Sequence, residues 1–243
     1  MQTLLNNALV TQYFRLDGLV TVLDARSALD ALPAVSRDLE QVVMADRIVV
    51  TRGEILSANR LAVFVARLRR LAPLADVQVD TKPIDPAALL GCGYSDRIAA
   101  GATLAAWVGA ALPHRGTGAL EGGLHSFAVS VDRPVEWDAL HSWLNAGMRI
   151  NGDVMHRVRA VLRVVDEPRT VVLACVRHVM RPPVLVDGGA VDPERSILHF
   201  VTRDLDRAAV EASLREDLPQ LARAAQDRRM RQLRAVADPS LPA

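Results

Sequence analysis

Two short, continuous apolar runs near the start of the chain, Leu19–Leu23 and Arg47–Thr51, constrain its fold most strongly. Runs without alternation are typical of strands that are buried on both faces, as in parallel sheets covered by helices. A short helix is predicted over Ala34–Met44, and Ser57 can cap a longer helix after the second run. A third short strand at Val77–Val79 completes an alternation that predicts a three-stranded parallel sheet with right-handed crossovers.

The second half of the sequence has a different pattern. His125–Asp132 and residues 158–164 alternate between apolar and other residues, which predicts half-buried antiparallel strands. Pro134 suits the first turn of a helix, and Asp206 can cap another. Three or four strands are predicted between these helices, so we expect an α+β domain with helices on one face of an antiparallel sheet.

The sequence therefore divides into four segments. Residues 1–93 form an α/β unit, and residues 94–123 are a glycine-rich linker. Residues 124–218 form the α+β domain, and residues 219–243 are an arginine-rich tail. For this tail we favour a solvated end over a helical extension.

Composition excludes several classes of function. The net charge is +1, so no overall field attracts the chain to nucleic acid or to a membrane of anionic lipid. No apolar run reaches the length of a membrane-spanning helix, and the first residues do not resemble a signal peptide. The two cysteines, Cys92 and Cys175, belong to no paired motif, which favours a reducing compartment. We therefore expect a cytoplasmic protein.

The sequence contains no phosphate loop. Such a loop needs a glycine-rich turn that ends in Gly-Lys-Ser/Thr, so that backbone N–H groups and one ammonium hold the phosphates. The single lysine, Lys82, is followed by Pro83. No Ser/His/Asp arrangement, paired-carboxylate spacing or G-x-G-x-x-G motif is present either, so the sequence indicates no catalytic residue.

Histidine and arginine residues in the second half leave alternatives open. His125, His178 and His199 lie on predicted strands and could converge on a metal ion, but scattered histidines are more often surface or polar core residues. We therefore assign no metal ligand. Three arginines share the polar face of one predicted strand, where a solvated sheet face is favoured over an acidic partner surface; these are Arg157, Arg159 and Arg163.

Several stretches carry a family resemblance. In the second half of the sequence these stretches are 125–127, 132–137, 152–159, 176–183 and 197–205. In the first half they are Phe14-Arg15-Leu16-Asp17-Gly18-Leu19-Val20-Thr21-Val22-Leu23-Asp24 and Glu40-Gln41-Val42-Val43-Met44-Ala45-Asp46-Arg47. Through these stretches the chain resembles the CobW-like family of GTP-dependent metallochaperones, in the same order and spacing over nearly its whole length.

The resemblance implies a P-loop GTPase domain followed by a C-terminal domain that helps engage a client protein. In the family, the first domain binds GTP and Mg²⁺ and holds zinc (or cobalt) at a C-x-C-C motif. The phosphate loop, the Mg²⁺ switch and the C-x-C-C site would all lie before Met1. We therefore expect an incomplete member that retains the client-interaction domain but neither binds nor hydrolyses GTP alone.

One element of the nucleotide site has a counterpart in this sequence. Where the family reads guanine with Asn/Thr-Lys-x-Asp, this chain has Thr51-Arg52-Gly53-Glu54. Arg52 could cover the base as lysine does, and the carboxylate of Glu54 would need a backbone adjustment to pair with it. The simpler interpretation, which we favour, is a strand-to-helix turn whose Glu54 faces the positive end of the helix dipole.

Two other interpretations remain open at this point. The chain could be a stand-alone interaction module that binds either a metalloprotein client or a complementary GTPase half, the latter through the exposed edge of its own sheet. Association into an oligomer would satisfy the same edge. The sequence could also be a gene fragment with a mis-called start.

Overall fold

The computed structural model describes residues 13–14, 17–26, 36–80, 89–90, 123–151, 153–187 and 195–237, without side-chain detail at 36–38, 150–151 and 231–237. The first unit consists of β1 (Val20–Asp24), α1 (Ser36–Met44), β2 (Arg47–Thr51), a 3₁₀ turn (Gly53–Ile55), α2 (Ala58–Leu71) and β3 (Asp76–Val79). Its strands pair in parallel in the order β1-β2-β3. The predicted three-stranded parallel sheet is therefore confirmed. The linker predicted at residues 94–123 lies outside the described residues, except for Gly123.

Local sequence explains the helix that follows β2. Ser57 is in the extended conformation, and its hydroxyl accepts a hydrogen bond from the Arg60 N–H at 3.4 Å. Phe64, Leu68 and Leu71 recur at helical spacing and are buried. The cap and the apolar stripe predicted for this helix are both present.

The second unit is a six-stranded antiparallel sheet with two long helices. It contains β4 (Leu124–Val131), α3 (Trp137–Asn151), β5 (Met155–Val164), β6 (Glu167–Val176), β7 (Val179–Met180), β8 (Val184–Val186), β9 (Ser196–Arg203) and α4 (Arg207–Ala237). The strand order is β4-β9-β5-β6-β7, and β8 pairs with β6. α3 and α4 pack on one face of this sheet, as the α+β prediction requires.

Two helix boundaries differ from the prediction. Pro134 lies outside α3, because the next residue, Val135, pairs with the end of β5: its N–H donates to the Arg163 carbonyl at 2.8 Å. At the other end of the domain, α4 begins as expected, with the Asp206 carboxylate accepting from the Ala209 N–H at 2.9 Å. It then continues through Pro219 as far as Ala237, so the solvated end that we favoured for the tail is wrong and the helical alternative applies.

The prediction of a half-buried β4 is also wrong. Phe127 packs against the helices as expected, but Ser126 and Ala128 on the opposite face are only 2% and 1% exposed. The Ser126 hydroxyl lies 3.2 Å from Nε2 of His199 on the neighbouring strand β9. Alternation identified the strand correctly, but it does not reveal what covers the second face.

A shared hydrophobic core joins the two units. Leu39 and Val43 of α1 and Ile48 of β2 belong to the same buried cluster as Leu124 and Val201 of the antiparallel sheet. A separate cluster lies between that sheet and its two helices. The parallel unit therefore packs directly on the antiparallel sheet, away from α3 and α4.

Candidate functional site

A cluster of charged residues lies where the two units meet, and we call this cluster the seam. The first unit contributes two carboxylates, from Asp46 and Glu40. The second unit contributes four guanidinium groups, from Arg157, Arg159, Arg177 and Arg203.

Asp46 occupies the centre of the seam. It is 3% exposed, and Arg157 and Arg159 on β5 are each 4% exposed. The Asp46 Oδ1 atom accepts hydrogen bonds from Arg157 and from Nη2 of Arg159, the latter at 2.6 Å. The Oδ2 atom accepts from the Leu19 N–H at 3.0 Å. One carboxylate thereby joins the approach to β1, the start of β2 and the middle of β5.

The electrostatics of the seam favour the ionised carboxylate. Burial alone would raise the pKa of Asp46, but Arg157 and Arg159 outweigh it and lower that pKa from 3.8 to about 2. Burial and the neighbouring Arg159 lower the pKa of Arg157, because two guanidinium groups share one carboxylate. Backbone carbonyls of Met44 and Ala45 accept further hydrogen bonds from these arginines. Arg157 and Arg159 therefore do not form the solvated face that we favoured.

Glu40 forms a second, more accessible part of the seam. Its Oε1 atom lies 2.5 Å from Nη2 of Arg203 on β9, and its Oε2 atom lies 3.4 Å from Nη2 of Arg177. Nearby, the Arg181 guanidinium donates to the backbone carbonyl of Asp17 at 3.3 Å. The contacts of Glu40 and Arg181 extend the seam along α1 and to the residues just before β1.

The proposed base-reading turn lies at the opposite end of the parallel strands. Arg52 has a φ of 57°, a left-handed conformation that is uncommon for a residue with a side chain. Its Nε atom donates to Oδ1 of Asp24 at 3.0 Å, and the two side chains form an ion pair. Thr51 donates its hydroxyl to the Leu23 carbonyl at 3.2 Å. The turn thus joins the carboxyl ends of β1 and β2.

Gly53 and Glu54 complete this turn in different ways. Gly53 is buried, and a Cβ atom there would lie 2.6 Å from Cγ1 of Val79, so a larger residue would require Val79 or the turn to shift. Glu54 is exposed in the first turn of the 3₁₀ helix. Its position matches the strand-to-helix turn that we favoured, and the exposed carboxylate remains accessible to a ligand.

The carboxyl ends of parallel strands are where open α/β sheets usually bind ligands. Asp24 and Arg52 lie at these ends, whereas Asp46 lies at the amino end of β2. Five residues of strand separate the two ends, roughly 13 Å at the usual rise per residue. A ligand bound at the carboxyl ends of β1 and β2 and a change at the seam would therefore act on the same two strands.

The three histidines considered for a metal site are not brought together. His199 lies across from Ala128 and bonds Ser126, whereas His125 occupies the other face of β4. His178 lies in the turn after β6, with Nδ1 3.0 Å from the Met148 carbonyl. Within the described ranges, no three His, Cys, Asp or Glu side chains are grouped so as to hold a metal ion. Lys82, Cys92 and His114 lie outside those ranges.

A groove of about 870 Å³ lies on the opposite side of the antiparallel sheet from the seam, between residues 132–136 and α4. Asp132 on its rim is paired with Arg195, and Glu211 is paired with Arg207. Among the described residues, its other charged side chains have no ion-pair partner; these are Arg133, Arg215, Arg223 and Glu136. The unpaired side chains of the groove, three arginines and one glutamate, therefore have a net positive charge.

Sequence reasoning missed Asp46 and Glu40 as interface residues. The available signal was a carboxylate directly before a strand with an apolar centre, Ile48–Val50, together with two arginines that alternate on another strand. Buried charges need partners, but this signal is ambiguous because the alternation on β5 also fits a solvated face for Arg157 and Arg159. No helix among the described residues has the length and apolar character needed to cross a membrane.

Comparisons with known proteins place these observations in context. The sequence model of the cobalamin synthesis protein cobW C-terminal domain matches residues 124–218. The Zn(II)-bound YjiA GTPase from E. coli has a similar structure, with a TM-score of 0.63 and 19% identity, covering 89% of this chain and 65% of that one. A Zn(II)-bound triple mutant of YjiA gives a TM-score of 0.65 at 17% identity with the same coverage.

The chain thus spans less than two thirds of the length of these two structures. A search of curated proteins found no match. At this identity the two structures show a shared fold: a parallel unit like that of the YjiA GTPase precedes the antiparallel domain. The match over residues 124–218 identifies the antiparallel domain of this chain as similar to the cobW C-terminal domain.

Proposed function

We propose that this chain acts in a CobW-like, GTP-dependent metal chaperone or insertase system of the cytoplasm. Its antiparallel domain engages the metalloprotein client, and its parallel unit connects that domain to nucleotide. Zinc or cobalt is the metal delivered. The observation that carries the proposal is the CobW C-terminal domain at residues 124–218, packed on a parallel unit of YjiA-like fold.

The seam supports a coupling role for the parallel unit. Asp46 and Glu40 attach it to the client-binding domain, while Asp24 and Arg52 lie at its ligand-binding end. A change at the base-reading turn would shift β1 and β2 relative to β5, and so alter the surface offered to the client.

The 243 residues contain no Gly-Lys-Ser/Thr, so we expect no GTP hydrolysis from them alone. Fluorescent GTP binding and phosphate release are measured for the purified chain with Mg²⁺, with the E. coli YjiA GTPase as the positive control. We expect turnover at the level of the buffer blank. Measurable turnover by this chain would refute this part of the proposal.

The groove beside α4 is the surface that we assign to the client. Its floor includes Val135 and Leu214, and its unpaired charges favour an acidic partner. We therefore expect an acidic segment of a metalloprotein to bind there, with the Arg133 and Arg215 side chains pairing with its carboxylates.

A photo-crosslinking residue tests this assignment in cells. It replaces Ala222, which lines the groove, or Ala208, which is exposed on α4 outside it. We expect position 222 alone to capture a metal-requiring protein, and capture to fall strongly in the Arg133→Glu, Arg215→Glu double variant. Equal capture from both positions, or capture unaffected by the charge reversal, would contradict the assignment.

A second candidate function is a stand-alone interaction module that pairs with a separate GTPase half. The edge strand β1 favours it, because Val20 and Val22 are 38% and 63% exposed on one of its faces. Light scattering after size-exclusion chromatography tests for association through this face. Association that Val22→Lys abolishes, while Val63→Lys on exposed α2 does not, would favour the module; a monomer that binds no GTPase polypeptide would exclude it.

A further inference from the structure

Among the described histidines, His156 is the one that combines almost complete burial with two ring nitrogens that lack a hydrogen-bond partner. It is 1% exposed, and neither ring nitrogen has a hydrogen-bond partner among the described atoms. It occupies a bulge in β5, because Met155 lies across from Thr202 and Arg157 from the adjacent Val201. Buried polar groups are normally satisfied, so this ring needs an explanation.

The bulge determines where the ring points. Met155 belongs to the core beneath the two helices, and Arg157 reaches Asp46 in the seam. The extra residue between them allows His156 and Arg157 to face the parallel unit together. Bulges are over-represented where a strand must re-aim a side chain, and here the re-aimed side chain is a histidine.

Charged groups from four neighbouring parts of the chain act electrostatically on His156. Arg203 lies on β9, Arg177 on the turn after β6, Glu40 on α1 and Asp153 on the turn before β5. Glu40 is already engaged by Arg203 and Arg177, and the Asp153 side chain is 84% exposed. A positive charge on the ring would therefore add to two cations without gaining a buried carboxylate of its own.

We propose that His156 makes the seam sensitive to acid: the neutral ring permits α1 to pack on the antiparallel sheet, and uptake of one proton weakens that packing. The inference rests on the seam alone and does not depend on the proposed function. It assigns a regulatory role to a conformational contact, with the proton as the ligand.

The sign of the effect follows from the surroundings of the ring. Burial lowers the pKa of His156 below 6.5, Arg177 lowers it further, and Glu40 opposes them. The unfolded chain therefore takes up a proton at a higher pH than the folded chain. Stability is fully present above about pH 6.5 and falls as the pH drops toward the folded pKa, with the folding equilibrium constant changing by up to about tenfold per pH unit.

The intact wild-type chain is measured first. Side-chain NMR of the histidines follows each ring from pH 8 to pH 5, and hydrogen exchange, corrected for the intrinsic rate, follows α1 and β5. We expect His156 to remain neutral after exposed rings have titrated, and exchange in α1 to accelerate as His156 finally takes up its proton. Titration of His156 at an ordinary pKa, with unchanged exchange in α1, would overturn the proposal.

Two variants and a matched control locate the effect. His156→Gln and His156→Leu remove the titrating ring, and His141→Gln removes a histidine of α3 that bonds Asn145, away from the seam. We expect at least one His156 variant to fold and to lose the acid-induced exchange of α1, while the His141 variant retains it. If the His156 variants kept the acid-induced acceleration of exchange in α1, the proposal would be overturned. If neither variant folds, the NMR titration of the wild-type chain decides between the two results.

Discussion

Nη2 of Arg159 in the middle of β5 lies 2.6 Å from Oδ1 of Asp46 at the start of β2, although 113 residues separate them in sequence. Both side chains are almost fully buried, and Arg157 shares the same carboxylate. The contact crosses from the parallel unit to the CobW C-terminal domain. Its position inside a shared hydrophobic core means that neither unit can move away without exposing an unpaired charge.

Removal of the Asp46 charge tests how strongly the units depend on each other. Asp46→Asn leaves two buried guanidinium groups uncompensated, and we expect a loss of about 3–5 kcal/mol in the free energy of unfolding, measured with urea. Asp76→Asn is the matched control, because Asp76 pairs with Arg47 at 3.1 Å but its side chain is 45% exposed. We expect Asp76→Asn to lower the free energy of unfolding by less than about 1 kcal/mol. Equal losses in the two variants would contradict the assigned role of burial.

Acid titration of stability gives a second test of the same carboxylate. Burial opposes its ionisation, but Arg157 and Arg159 lower its pKa from 3.8 to about 2 in the folded chain. Its contribution is therefore present above about pH 4 and is lost as the pH falls toward 2. We expect wild type to lose on the order of 2 kcal/mol more than Asp46→Asn over that range. If the free energy of unfolding fell equally with pH in wild type and Asp46→Asn, the pKa of Asp46 would not be lowered in the folded chain.

The close approach of Gly53 to β3 predicts a steric effect. A methyl group at Gly53 would meet Cγ1 of Val79 at 2.6 Å, so Gly53→Ala should lower the free energy of unfolding by about 1–3 kcal/mol. Gly147→Ala in α3 is the control, because its methyl would meet only the flexible Met155 side chain, at 3.1 Å. The helix gains up to about 1 kcal/mol from alanine there. If Gly53→Ala proved as stable as Gly147→Ala, the tight turn would be disproved.

The buried thiol of Cys175 predicts a chemical protection. Burial raises its pKa to about 12, so the folded chain should present almost no thiolate at pH 8. In a Cys92→Ser background, we expect Ellman's reagent to label Cys175 at the rate of unfolding, with labelling accelerated by urea. Complete labelling within seconds in native buffer would place this thiol at the surface.

The sequence allows the local elements to be predicted because their signals are local. Continuous apolar residues at Arg47–Thr51 gave the bounds of β2, and the Ser57 hydroxyl starts α2 as expected. Asp206 likewise begins α4. The composition of the tail did not reveal that α4 continues through Pro219 to Ala237, because exposed arginines suit a long helix as well as a solvated end.

The seam could not be predicted because it depends on contacts between distant elements. Alternation on β5 identified a face with Arg157 and Arg159, but the same pattern fits a solvated sheet. Only the packing of α1 against that face brings Asp46 to the arginines and buries all three side chains. The bulge at His156 could not be predicted either, because an extra residue in a strand does not change the residue types from which a strand is predicted.

A double-mutant cycle between Asp46 and Arg159 tests most directly the claim that the seam joins the two units. The free energy of unfolding is measured for wild type, Asp46→Asn, Arg159→Met and the double variant. We predict that the double variant loses at least about 2 kcal/mol less than the sum of the single losses, because methionine removes a charge that Asp46→Asn alone would leave unpaired. Losses that add to within about 0.5 kcal/mol would show that the residues do not interact and would contradict the account.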